Sequence, residues 1–187
     1  MTTFAQFAEL VRKRRTSLLM DRDRPVEPAL IDELCELVSW APNHKKTWPW
    51  RFAEFTGDGR TRLGATMAAD MVAAHFGDEI KQEKTRGKYL RSPSVLVMGC
   101  APHDNEMLDQ ENRDAVAAGI QNLLLGATSL GLASFWSTPA LTRPPGVLDL
   151  CGFAPEDRVV GVLYLGWPAG ECVVPERPIV EITRIAD

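Results

Sequence analysis

The sequence predicts one α+β domain over residues 1–187, and three observations support this prediction. The chain has 187 residues, of which 45% are hydrophobic and 25% charged, as expected for one folded domain. A short apolar run rich in valine at 94–101 is typical of a strand buried on both faces, and 159–165 reads as a further strand. Stretches with helical apolar spacing lie around them, and no repeat, linker or low-complexity tract interrupts the chain.

The first half of the chain predicts three helices and one strand. Thr3 can cap a first helix, which carries the basic cluster 12–15 at its C-terminal end, where cations suit the helix dipole. A second helix starts at Pro28 and stops at Pro42. Residues 50–56 read as a strand, and the GDG that follows leads into an alanine- and methionine-rich helix that ends near residue 76.

The second half holds an uncharged stretch from Ala115 to Thr142. It is long enough to span a bilayer, but its polar side chains and glycines favour a buried helix over 112–130, closed by Gly131, and then a strand over 133–136. The helix is apolar nearly all round, so we expect a second copy of the chain to help bury it, which predicts a homodimer. Prolines keep the tail after Gly166 extended.

Composition excludes several classes of protein. The formal charge of −4 argues against nucleic-acid binding, which normally needs a basic excess. Four scattered cysteines without a C-x-x-C pair and the absence of a secretory signal predict free thiols in the cytoplasm. His103 lies near two acidic residues, but a solvated loop explains this group better than a metal site. We therefore expect no metal, no nucleic-acid partner and no membrane span.

The common catalytic motifs are also missing. The sequence has no G-x-S-x-G nucleophile elbow and no G-x-x-x-x-G-K-[ST] phosphate loop. It has no G-x-G-x-x-G after a strand, so nicotinamide binding on a Rossmann unit is not expected. What remains is a set of polar and aromatic residues at the ends of predicted elements.

Three such groups stand out. Arg14, Arg15, Thr16 and Ser17 combine guanidinium and hydroxyl donors suited to a phosphate monoester, although a solvated helix end is the plainer interpretation. The loop APNHKKTWPWRF (41–52) holds two prolines, two tryptophans and three potential donors, His44, Lys45 and Lys46. The segment WSTPALT (136–142) offers hydroxyls directly after a predicted strand.

In combination, these groups resemble the nitroreductase family. The matching features are Arg-Arg-Ser/Thr near the N-terminus, A-P-x-H/S-x-x-x-x-P-W-x-F after the second helix, a long apolar helix into GLASFW, and VVGVLYLGWP near the C-terminus. The likeness covers nearly the whole chain and is closest to short members whose loop reads A-P-D-H-K-x-x-x-P-W-R-F. It implies a three-layer fold with a central, mostly antiparallel sheet flanked by helices, in an intertwined homodimer.

The resemblance also implies a flavin enzyme. Members of the family transfer hydride from NAD(P)H through FMN to a nitroaromatic, a quinone or a similar conjugated small-molecule acceptor in a ping-pong reaction, and the flavin, not a catalytic side chain, carries the chemistry. The family's phosphate motif falls on Arg14, Arg15 and Thr16. Donors near the reduced ring are available in Lys45, Lys46 or a backbone N–H. The remaining positions expected to touch FMN are Trp40, His44, Lys45 and, from the other subunit, Trp136, Ser137 and Thr138.

The chain departs from the short members at four positions. Ser137 and Trp40 each replace an arginine, and Trp48 replaces a glutamine. Pro139 replaces a glycine and therefore removes a backbone N–H. Trp40 and Trp48 either make the pocket more aromatic or fill the core. Two further functions stay open at this point: a protein that stores or senses FMN without turnover, and a dimeric structural module without cofactor.

Overall fold

The computed structural model of the protein describes residues 2–186. Its helices and strands alternate along the chain, and two short 3-10 turns, at His44–Lys46 and Lys88–Arg91, complete the described regular structure. The helices are α1 (Phe4–Lys13), α2 (Pro28–Val38), α3 (Gly57–Ala73), α4 (Glu79–Arg86), α5 (Glu106–Ser129) and α6 (Pro145–Cys151). The strands are β1 (Trp50–Phe55), β2 (Ser94–Cys100), β3 (Ala133–Ser137) and β4 (Arg158–Gly166).

The strands form one antiparallel sheet in the order β1-β2-β4-β3. Every residue of β2 is buried, as its continuous apolar sequence predicts. Alternate residues of β2 face two separate cores: Leu96 and Met98 pack with α2 and α5, while Val95 and Val97 pack with α3 and α6. Helices therefore cover both faces of the sheet, which confirms the predicted α+β class and the layered arrangement.

Helix α5 begins at Glu106, six residues before the predicted start, and its charged first turns are solvated. Its apolar half packs against α2 at very short range, because a Cβ at Gly119 would lie 2.4 Å from Val38 Cγ1 and one at Gly126 would lie 2.7 Å from Leu37 Cδ1. The chain itself therefore buries one side of α5, and the burial of its other side by a second copy stays a prediction. Over residues 2–186, no helix combines the length and the apolar character that crossing a membrane requires.

Apolar side chains are exposed at the two ends of the chain. Helix α1 has no buried residue, and its Phe4 is 84% exposed. The tail 171–186 has no helix or strand, and it exposes Val173, Ile179 and Ile185 almost completely. Exposed apolar side chains in this number mark an interaction surface.

The sequence analysis did not predict two of the helices, α4 and α6, for different reasons. The sequence of α4, EIKQEKTR, has almost no apolar stripe, and Thr85 is its one buried residue. Helix α6 is only seven residues long, and it begins at Pro145 directly after Pro144. It depends on a remote carboxylate, because Asp70 on α3 accepts hydrogen bonds from the amides of Gly146 (3.0 Å) and Val147 (2.9 Å).

Candidate functional site

The predicted phosphate motif lies against the outer edge of the sheet. After α1, the chain runs parallel to β3, and the Ser17 amide donates to the Ser134 carbonyl oxygen at 2.9 Å. Arg14 Nη1 donates to Thr16 Oγ1 at 3.3 Å. Arg15 donates to the Arg14 carbonyl oxygen at 2.8 Å. The sheet thereby holds both arginines and Thr16 together at the start of β3.

The C-terminal tail brings a further guanidinium, Arg177, to this motif. Arg12, Arg14, Arg15 and Arg177 all line one cavity of about 370 Å³. Partial burial, then Arg177 and Arg15, lower the pKa of Arg14. No carboxylate lines this cavity, and no ion pair of residues 2–186 involves the four arginines. An uncompensated guanidinium cluster of this kind is suited to a multiply charged anion.

At the other end of β3 lies a second positively charged group. Lys88 Nζ donates to Ser137 Oγ at 3.3 Å, and Ser137 Oγ donates to the Thr138 carbonyl oxygen at 3.2 Å. Burial, then Arg91 and Lys81, lower the pKa of Lys88. Two residues lie between Ser134 and Ser137, so the strand positions beside which the two groups lie are about 10 Å apart.

Trp136 lies between these two groups on β3 and is 37% exposed. Its indole packs over β4 at Gly161, where a Cβ would lie 2.2 Å from Trp136 Nε1. Glycine at 161 therefore provides the space in which the indole lies flat on the neighbouring strand. The register pairs Trp136 with Leu163 on the α5 face of the sheet, whereas Ser137 pairs with Val162 and points to the opposite face.

The predicted loop has an unusual backbone. Lys45, Lys46 and Trp48 have φ values of 59°, 52° and 51°, a region that costs a non-glycine residue about 1–3 kcal/mol. Asn43 holds this conformation, since its Oδ1 accepts from the Trp48 amide at 3.0 Å and its Nδ2 donates to Thr47 Oγ1 at 2.9 Å. Strain that neighbouring side chains maintain in this way is a feature of functional sites.

The loop side chains point into solvent or contact the start of α5. His44 Nδ1 lies 2.7 Å from Glu111 Oε2, and Lys45 is exposed. Trp40 is 75% exposed, and Trp48 is 58% exposed. The interpretation of these two tryptophans as core residues was therefore wrong. Trp50, by contrast, packs against the core.

Within one chain the predicted site residues fall into two separate groups. The loop lies beside Glu111 near the start of α5, whereas Arg15 and Ser17 share a small cavity with Thr128 near its end. Seventeen residues of helix separate these two positions, which corresponds to about 25 Å. The structure therefore brings Arg14, Arg15 and Thr16 together with Trp136, Ser137 and Thr138, and leaves Trp40, His44 and Lys45 elsewhere.

Sequence reasoning missed Arg177 and Lys88, the two cations that complete the first group. Lys88 follows a stretch of sequence without apolar periodicity, so no sequence pattern indicated that its side chain is half-buried. Arg177 stands between two prolines of the tail, in the run VPERP, and an isolated arginine in an extended apolar segment is the one signal that points to it.

Metal and thiol chemistry have little support in the described part of the chain. Residues 2–186 contain no group of three or more His, Cys, Asp or Glu side chains arranged to hold a metal ion. All four cysteines are free, as expected. Burial raises the pKa of Cys35 and Cys151 to about 12 and that of Cys100 to about 11, so these thiols are neutral near pH 7.

Two curated relatives resemble most of the chain. YdjA of Escherichia coli (strain K12), which carries the provisional name of an NAD(P)H nitroreductase, is 28% identical over 165 residues, covering 86% of this chain and 87% of YdjA. YfhC of Bacillus subtilis (strain 168), with the same kind of name, is 27% identical over 168 residues, covering 86% of this chain and 83% of YfhC.

Solved structures agree with this likeness over the whole fold. A nitroreductase-like family protein from Bacillus cereus superposes with a TM-score of 0.82 at 26% identity, covering 98% of both chains. A nitroreductase with bound FMN from Bacteroides fragilis superposes with a TM-score of 0.77 at 21% identity, covering 99% of this chain and 100% of that one. The Nitroreductase family model matches residues 11–167. With that match and the sheet, helices and arginine motif described above, the chain belongs to the nitroreductase family.

Proposed function

We propose that this protein is an FMN-dependent oxidoreductase that uses NAD(P)H to reduce a nitroaromatic, a quinone or a similar conjugated acceptor. When bound, FMN supplies the hydride transfer, first from the nicotinamide and then to the acceptor. The observation that carries the proposal is the pair of uncompensated positive groups at the two ends of β3. The protein's own residues bind and orient the cofactor and the acceptor.

The arginine cluster fits the phosphate end of FMN. The phosphate group carries close to two negative charges, and guanidinium forks bind such groups with paired hydrogen bonds. Arg14, Arg15 and Arg177 would neutralise it, and Thr16 would add a hydroxyl donor. Binding would also relieve the repulsion that lowers the pKa of Arg14.

Lys88 fits the ring end of the cofactor. Reduced flavin is anionic, so a cation beside the pyrimidine side of the ring stabilises it. Lys88 is better suited to this role than Lys45 or Lys46, because it is half-buried at the end of β3 while both loop lysines are exposed. Ser137 and Thr138 supply further polar groups, whereas Pro139 offers no backbone N–H.

The complete site needs two copies of the chain. Trp40, His44 and Lys45 are far from the arginine cluster of their own chain, so a flavin that touches both groups must lie between subunits. We propose that a homodimer places the loop of one subunit against the phosphate and β3 groups of the other. In this arrangement the loop, and not Trp136–Thr138, is the partner's contribution. The exposed apolar surfaces of α1 and the tail supply contact area for such a dimer.

We also place the protein in the cytoplasm, because its free cysteines suit a reducing compartment.

The spectrum of the purified protein tests the proposal. We expect a yellow protein with flavin absorbance, which NADH or NADPH bleaches under anaerobic conditions and an added nitroaromatic restores. A colourless protein that FMN cannot reconstitute would refute it. The matched variants are Arg14→Ala and His44→Ala in the two groups, with Arg113→Ala, an exposed arginine of α5, as the control.

A second candidate function is FMN storage or sensing, which Pro139 favours, because the lost N–H removes one donor from the ring end. Anaerobic mixing with NADPH distinguishes the two functions. A storage protein would keep the spectrum of oxidised flavin after mixing, whereas in the enzyme NADPH would reduce the flavin and this spectrum would disappear.

A further inference from the structure

A large cleft opens beside the ring end of the proposed flavin site. Its volume is about 730 Å³, and its walls come from the α3–α4 connection, α4, the turn Lys88–Arg91 and the segment after β3. Thr138 and Pro139 form the wall nearest to the predicted ring position. The cleft is therefore continuous with the place where an acceptor or a nicotinamide would meet the flavin.

The charge of this cleft is strongly positive. Lys81, Lys84, Lys88 and Arg91 line it, against the single carboxylate of Asp78. The Asp78 carboxylate is already engaged as the cap of α4, since its Oδ1 accepts from the Lys81 amide at 2.7 Å. None of the four cations forms an ion pair in residues 2–186. This concentration of positive charge occurs in a chain with a formal charge of −4.

The cations of the cleft differ from the other cation of α4 in their partners. Arg86, the other cation of α4, lies outside the cleft and is neutralised by Glu83 at 2.9 Å. The cleft cations have no such partner. Lys88 is held half-buried among them, although burial, then Arg91 and Lys81, disfavour its charge. A cleft lined by charges of one sign concentrates ions of the opposite sign, so this cleft attracts anions.

The cleft also has an apolar side. Phe76, Ile80, Pro139 and Ala140 contribute to its lining. Lys81 Nζ lies 4.4 Å from the centre of the Phe76 ring, so this cation is oriented over an aromatic face at the cleft wall. An apolar wall with convergent cations suits a ligand that is conjugated at one end and anionic at the other.

We propose that this cleft binds the anionic group of the molecule that meets the flavin, with Lys81 and Arg91 as its principal ligands. The inference deepens the proposed function, because it names the charge class of the substrate. Two sources share this chemistry: a carboxylate or phosphate on the acceptor, and the phosphates of the nicotinamide nucleotide. Lys84 and Lys88 add to the positive potential, while Lys88 also serves the flavin.

The test uses the FMN-loaded protein and three probes. The acceptor probes are 4-nitrobenzoate and the neutral 4-nitrobenzyl alcohol, which share the ring and the nitro group, and the reductant probe is NADPH. Flavin absorbance changes give the Kd of each acceptor probe, and the concentration dependence of anaerobic flavin reduction gives that of NADPH. The variant is Lys81→Gln/Arg91→Gln, and the control is Arg86→Gln, which removes a cation of α4 outside the cleft.

In the double variant we expect the Kd of 4-nitrobenzoate, of NADPH or of both to rise by about tenfold or more. The reason is that the variant loses the charge-assisted hydrogen bonds of Lys81 and Arg91 to the anion. The Kd of the alcohol and all values for Arg86→Gln should stay within about twofold of wild type. An effect on 4-nitrobenzoate alone assigns the cleft to the acceptor, and an effect on NADPH alone assigns it to the nucleotide.

Unchanged Kd values for both anionic probes in the double variant would overturn the inference. An equal loss for the alcohol would also overturn it, since that pattern reports a distorted cleft and not recognition of charge. If the protein binds no FMN, the proposed function fails instead. Calorimetric titration of the same protein with 4-nitrobenzoate then tests the cleft. If 4-nitrobenzoate binds the wild-type protein but not the double variant, the result still supports an anion site.

Discussion

Arg177 provides the sharpest test of the phosphate site, because it comes from a segment that packs into no core. We expect Arg177→Ala to weaken FMN binding while the fold of the protein is unaffected. A charge-assisted hydrogen bond contributes about 1.5–3 kcal/mol, and each ~1.4 kcal/mol changes Kd tenfold. Arg177 is exposed to solvent, so the lower end of this range applies and the Kd for FMN should rise about tenfold.

The assay is fluorescence titration of the flavin-free protein with FMN at fixed ionic strength. Arg184→Ala is the matched control, because Arg184 is exposed in the same tail but does not line the arginine cavity. Removal of Arg177 also removes a positive neighbour that lowers the pKa of Arg14, so the flavin-free variant should melt no lower than wild type. A Kd within twofold of wild type, or an equal loss in the control, would refute the assignment of the arginine cluster to the phosphate.

Four further predictions follow from other parts of the structure. Pro139→Gly restores a backbone N–H at the ring end, so FMN should bind more tightly in an equilibrium titration. An unchanged Kd for FMN would show that residue 139 does not contact the flavin. Asp70→Ala removes two hydrogen bonds to the start of α6 and should lower the free energy of unfolding in urea by about 1–3 kcal/mol, whereas the exposed Asp149→Ala on α6 should change it by less than about 0.5 kcal/mol. Burial raises the pKa of Cys100 from 9.0 to about 11, so stability should fall as pH rises from about 9 to 11 because the unfolded thiol ionises first; Cys100→Ala should flatten that part of the profile measured by urea titration. Ile179→Glu places a charge on the exposed tail and should lower both the dimer fraction in sedimentation and the FMN content together; loss of one without the other would contradict a site shared between subunits.

The elements that the sequence predicted well are those with strong periodic or continuous apolar patterns. β2 and β4 follow from their valine-rich runs because both faces of each strand are covered. α4 could not be found in this way, since it packs through Thr85 and presents charge on its other positions. α6 depends on Asp70, which is 76 residues away from Gly146, and such distant capping leaves no local signal.

The candidate site shows the same division. The arginine motif and the 136–138 segment were recognisable from residue type, and the pairing of residue 16 with β3 explains why they belong together. The burial of Lys88 and the approach of Arg177 depend on tertiary packing, which spacing in the sequence does not encode. The exposure of Trp40 and Trp48 was equally hidden, because an aromatic residue in a loop suits a core and an interface alike.

The order of the strands has a consequence for how the protein is made. β1 lies at one end of the sheet, and β3 at the other is covered only by the short segment around Thr16. A newly synthesised chain therefore presents the open backbone donors and acceptors of β1, and it also exposes a tail rich in valine and isoleucine. An open strand edge is a template on which another chain can pair, so aggregation competes with folding during synthesis. Slow synthesis at low temperature should therefore raise the yield of intact protein.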